Sequence, residues 1–152
     1  MAKDFISLKI TGDKELASRL ERINGQVITA LRMGIEKSLI ELENEARNKL
    51  SGRVLNVQTG TLRRSIGREI NQSGNSIIGS VGSDLKYAAI HEFGGVIKAK
   101  NAPYLTFPID GGWARVKQVT IPERSYLRST LEEKEPMILN IVQREIEKLI
   151  EA

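Results

Sequence analysis

The feature that most constrains this chain is the run from Gln26 to Leu50. Within it Leu31, Ile35, Leu39, Leu42, Ala46 and Leu50 recur at steps of three and four, with Glu and Lys between them. That period places the apolar side chains on one stripe of a helix. A helix over about 26–50 is about 37 Å long at 1.5 Å per residue, so the fold must supply an apolar surface of similar length. A second helical pattern lies at the other end of the chain. After Pro122, "RSYLRSTLEEKEPMILNIVQREIEKLIEA" carries Leu127, Leu131, Ile138, Val142, Ile146 and Leu149 on one face, which predicts a C-terminal helix over about 124–150. Pro136 either kinks it or begins a second helix at its first turn.

Between and before these helices the pattern is that of strands. Ile6, Leu8 and Ile10 alternate with Phe5, Ser7 and Lys9, a half-buried strand. Asp13 is a reasonable N-cap for a short helix carrying Leu16, Leu20 and Ile23, closed by Asn24-Gly25. Ser51-Gly52 stops the long helix, and 51–60 reads as a loop. Thr59 is placed to cap a short turn that turns Leu62 and Ile66 inward and Arg63 and Arg64 elsewhere. Two β-prone runs flank Ser73-Gly74-Asn75, and two more flank Asp110-Gly111-Gly112, both hairpin signals. Pro103 and Pro108 make the first arm of that second hairpin, about 96–120, irregular or an edge. "DLKYAAIHEFG" (84–94) reads as a short helix ended by Gly94 or Gly95, with Tyr87, Ile90 and Phe93 facing inward. These signals predict one α+β domain over 1–152. An antiparallel sheet of about four or five strands packs on the long helix and the C-terminal helix.

Composition removes most chemistry. With no cysteine there is no disulfide, thiolate or Cys-ligated zinc site. His91 is the one histidine, so the His-Glu start of "HEFGG" cannot be completed as His-Glu-x-x-His. A hydrolase using His91 as base lacks a Gly-x-Ser-x-Gly elbow, and the glycines at 79, 82, 94 and 95 form no phosphate-loop or dinucleotide fingerprint. His91 is expected to be a helix-end residue that packs or hydrogen-bonds, and no cofactor is expected. "MAKDFISLKI" has no apolar leader and no run of about 18 apolar residues occurs. The chain is therefore expected to be made in a cytoplasm and to make no membrane contact. Net charge is +4, which permits polyanion contact without requiring it. Arg63, Arg64 and Arg68 cluster around the short turn. Lys98 with Lys100, and Arg115 with Lys117, would each share a strand face. This basic hairpin supports a small, non-specific DNA-binding protein as the alternative function, against a solvated edge strand whose lysines discourage aggregation.

Four fragments stand in a telling order: "ITGDKELASRLERI", "VQTGTLRRSI", "YAAIHEFGG" and "IPERSYLR". Over about residues 8–135 the chain resembles the small neck or tail-completion proteins of long-tailed bacteriophages, the tail-component and virion morphogenesis proteins of phages and prophages. The resemblance implies a structural, non-enzymatic protein at the head–tail junction, between the portal complex and the tail tube. It implies a homo-oligomeric ring, commonly of six subunits, through which double-stranded DNA passes transiently. Its partners would be connector or tail-tube and terminator proteins, with assembly in the host cytoplasm and a final place in the virion. Carried over by motif, Tyr87, His91, Glu92, Phe93, Gly94 and Gly95 form a structural corner between helix and hairpin. Ile121, Pro122, Tyr126, Leu127 and Arg128 seat the C-terminal helix. Arg63, Arg64, Lys98, Lys100, Arg115 and Lys117 would face DNA or a neighbouring subunit. Relatives commonly carry a second proline where Ser125 stands, which implies a looser turn here.

Overall fold

The computed structural model describes residues 10–11, 25–54, 60–74 and 76–151. The expected strand residues 5–9, the short helix around Leu16–Ile23 and the cap at Thr59 lie outside them. The long helix α1 runs Gln26–Asn48 and continues into a π-helical turn, Lys49–Arg53, that ends at Gly52 in a left-handed conformation (φ 106°). Of its predicted stripe, Ile35, Leu39, Leu42, Ala46 and Leu50 are buried and Leu31 is half-buried. The C-terminal helix α4 runs Arg128–Ile150 without a break. Pro136 therefore starts no second helix. It removes the N–H that would reach the Glu132 carbonyl, and because both residues are exposed, water can take that bond.

α1 and α4 pack side by side, and Gly34 sets their separation. A Cβ there would lie 2.9 Å from the Val142 Cα, so only glycine permits this approach. Polar side chains stitch the same seam. Buried Lys49 donates to Ser129 Oγ at 2.7 Å and Glu133 Oε1 at 2.8 Å. Lys37 and Lys148 both reach Glu145 at 2.7 Å.

The other side of α1 carries a three-stranded antiparallel sheet in the order β1 (Ile10–Thr11), β3 (Ser76–Gly82), β2 (Gly67–Ser73). β2 and β3 form the predicted hairpin, in register from Gly67↔Gly82 to Ser73↔Ser76. In β3, Ile77, Gly79 and Val81 point to the core, the period-two pattern of a half-buried strand. At Gly79 the helix lies directly on the strand, since a Cβ would meet Ile35 Cγ2 at 2.8 Å. The short helix α2 (Thr61–Ser65) turns Leu62 inward, and Ile66 just beyond it is buried, as predicted. Arg63 and Arg64 are exposed.

The second hairpin is a separate arm. Its base pairs β4 (Gly95–Lys98) with β7 (Gln118–Ile121), and its tip pairs β5 (Leu105–Ile109) with β6 (Gly112–Val116). Between the two ladders one strand inserts residues 99–104, which include Pro103, while the other inserts only Lys117. The α+β class with two framing helices holds. The strands are more subdivided than expected, seven among the described residues in one three-stranded sheet and two paired ladders.

Candidate functional site: a glutamate corner and a projecting arm

The short helix α3 (Ala88–Phe93) reverses its expected orientation. Tyr87 and Phe93 are exposed, Phe93 by 56%, and Ile90 is only half-buried, while Ala88 and Glu92 face the core. The inward apolar face predicted for Tyr87, Ile90 and Phe93 is thus corrected. The reason is Glu92, 1% exposed. Its two carboxylate oxygens accept the backbone N–H groups of Leu127 and Arg128, each at 2.8 Å. Those donors open α4 and have no partner inside the helix, and a negative charge there also complements the helix dipole. Glu92 must therefore face α4, and its i−4 neighbour Ala88 faces the same way. Being small, Ala88 lets the helices close. The fully buried Tyr126 fills the space, its hydroxyl donating to the Ala88 carbonyl at 3.4 Å. Burial first, then the charge of Glu92, raises the Tyr126 pKa far above its ordinary value.

Backbone bonds complete the corner. Arg124 N–H donates to the His91 carbonyl at 2.9 Å and Ser125 N–H to the Glu92 carbonyl at 3.0 Å. Gly94, at φ 70°, ends α3 under the chain that leads to α4. A Cβ there would stand 2.7 Å from the Glu123 nitrogen. Ser125 adopts φ 47°, which proline cannot reach because its ring fixes φ near −65°. The turn is not loose: Ser125 donates to Glu92 and its own carbonyl accepts the Ser129 N–H at 3.1 Å. Pro122 is exposed and Ile121 half-buried, while Leu127 is fully buried. The Arg128 side chain pairs with Glu123 at the surface.

His91 packs edge-on against Tyr87, with ring centroids 6.1 Å apart. Its Nδ1 is buried without a hydrogen-bond partner. Burial, then the charge of Arg124, holds its pKa below the ordinary imidazole value. Among the described residues no group of three or more His, Asp or Glu is placed to hold a metal ion, and no helix is long and apolar enough to cross a membrane.

The corner launches the arm, since β4 begins at Gly95 and β7 ends at Ile121 beside Gly94. None of residues 95–121 is buried. Trp113 is 72% exposed, with Ile109, Val96 and Ile97 also exposed. The basic residues are arranged differently from expectation. Lys100 lies past the end of β4, and Lys117 sits in the bend between β6 and β7. Neither predicted pair shares a strand, so the shared-face argument does not hold. Arg115 turns over the Tyr104 ring at 4.7 Å, a cation–π contact. Arg68, grouped with Arg63 and Arg64 from the sequence, instead pairs with buried Glu43, which also binds Arg47 at 2.6 Å. The bond from Glu92 to Leu127 and Arg128 was missed from the sequence. Its ends are 35 and 36 residues apart, and no local pattern in the sequence links "HEFGG" to "SYLR".

Fold and site together define a class: a small α+β body whose motif residues lock one corner, from which an uncovered β-arm projects. Residues 36–147 match the model of the phage virion morphogenesis family, and the chain belongs to that family. The match supports a role in phage virion morphogenesis. No curated protein and no solved structure matches the chain.

Proposed function

We propose that this protein acts at the head–tail junction, as a neck or tail-completion component. In this reading it assembles into a ring, of six subunits in the form the family resemblance suggests, and carries out no chemistry. The observation that carries the reading is the arm, whose Val96, Ile97, Ile109 and Trp113 no described residue of the chain covers. An isolated two-stranded ribbon is at best marginally stable in water, so such an arm is best explained by a surface beyond the described residues. Head-to-tail contacts of that kind form rings where the rotation between copies closes. The exposed Lys98, Lys100 and Lys117, with Arg63 and Arg64, would tolerate the phosphates of passing double-stranded DNA without reading sequence. Its neighbours would be the connector or the tail-tube and terminator proteins, with assembly in the host cytoplasm. Deleting the gene tests the reading. Unjoined heads and tails are expected, and finished infectious particles would refute it.

A further inference from the structure

The arm and the outer face of α4 have complementary properties, and they lie on different parts of the same molecule. From residue 95 to 121 the arm carries Lys98, Lys100, Arg115 and Lys117 against Asp110 alone, a net charge of 4 − 1 = +3. Its apolar side chains, Val96, Ile97, Ile109 and Trp113, are all exposed. On α4, residues Glu132, Pro136, Leu139, Gln143, Glu147 and Ile150 follow helical spacing and are all exposed. This stripe holds two carboxylates and no cation, with Leu139 65% and Ile150 79% exposed. It is the face opposite the one packed on α1. From Glu132 to Ile150 the stripe is about 27 Å long at 1.5 Å per residue. The five-residue ladder of β5 and β6, which carries Ile109 and Trp113, extends about 17 Å at 3.3 Å per residue and so covers part of that stripe.

We propose that the arm of one copy docks along the Glu132–Ile150 stripe of α4 on the next copy. Trp113 and Ile109, at the arm's tip, meet Leu139, while the lysines toward its base lie along one side of Leu139 and meet Glu132. The contact is heterologous, because each copy offers an arm at one place and a stripe at another, and it builds a ring where the rotation between copies closes. This inference rests on the ring reading above and names the surface that would build it.

The chain has no native cysteine, so Trp113→Cys and Leu139→Cys each introduce a single thiol. The two variants, one bearing a size tag, are mixed at low ionic strength, where charge attraction is least screened, and oxidised. A mixed disulfide dimer is expected from the mixture and none from either variant alone, with the yield falling as salt rises. Ile109→Cys in place of Trp113→Cys should give the same product while keeping the tryptophan anchor. Self-crosslinking of Trp113→Cys alone would mean arm-to-arm contact and would overturn the proposal. So would the absence of mixed product with both arm variants. Light scattering on the wild-type chain separates the two failures. An oligomer without the mixed disulfide refutes only this docking, whereas a monomer at low ionic strength counts against ring formation by the chain alone as well.

Discussion

Replacing Glu92 tests how the corner is held. Its carboxylate is 1% exposed and accepts two backbone N–H groups at 2.8 Å. Hydrogen bonds to a charged group contribute about 1.5–3 kcal/mol each, and a buried donor left unpaired costs about 1–3 kcal/mol. Leu127 is fully buried, whereas Arg128 is exposed, so water can recover part of the loss at the second donor. Glu92→Ala should therefore destabilise by about 3–4 kcal/mol. Glu92→Gln keeps one acceptor oxygen but turns an amide N–H toward the other donor, and should cost about 2 kcal/mol by the same reasoning. Glu123→Ala removes a surface partner of Arg128 and should cost no more than about 0.5 kcal/mol. Urea unfolding followed by circular dichroism measures all three. With a slope of about 2 kcal/mol/M, Glu92→Ala should lower the midpoint by about 1.5–2 M at unchanged slope. A Glu92→Ala midpoint within error of Glu123→Ala would refute the account of the corner. Equal stability of Glu92→Gln and wild type would refute the contribution of charge.

Other perturbations have signs that the structure fixes. Gly94→Ala forces a Cβ to 2.7 Å from backbone at φ 70° and should cost about 2–3 kcal/mol. Gly74→Ala, also at positive φ (56°) but with open space, should cost about 1 kcal/mol; equal losses in urea unfolding would contradict the clash. Gly34→Ala should gain about 1 kcal/mol from helix propensity, yet it must push α1 off Val142, so its measured thermal midpoint should fall rather than rise. His91 has a folded pKa below its unfolded value. The unfolded chain therefore binds the proton first, and the stability this residue contributes is complete above about pH 6.5 and is lost as pH falls toward the folded value. His91→Asn should flatten the stability profile in that window, and an unchanged slope would show that the ring's burial has no such consequence.

Both long helices were legible because a helical period repeats over 31–50 and over 127–149, whereas their packing on each other, which rests on the close approach at Gly34, was not. Both hairpins were legible from turn residues, Gly74 and Asp110-Gly111, which act locally. Helix α3 was misjudged for a physical reason: its buried face is chosen by the carboxylate of Glu92, which finds its donors some 35 residues away. Hydrophobicity alone favoured Tyr87 and Phe93, and an ion-to-backbone contact overrode it. The same holds for Lys49 and Glu43, charged residues beside the apolar stripe, each of which finds a partner on another element, Glu133 and Arg68. The basic arm failed on register, because the six-residue excursion at 99–104 moved Lys100 off the strand whose alternation was assumed.

The most direct measurement of the central claim is reconstitution of particle joining. Lysates of a phage lacking this gene would be mixed with purified protein, and joined particles counted by electron microscopy alongside infectious titre. The account predicts separate full heads and tails before addition, and joined, infectious particles after it. Finished particles without the protein, or separate heads and tails that stay unjoined after its addition, would contradict it.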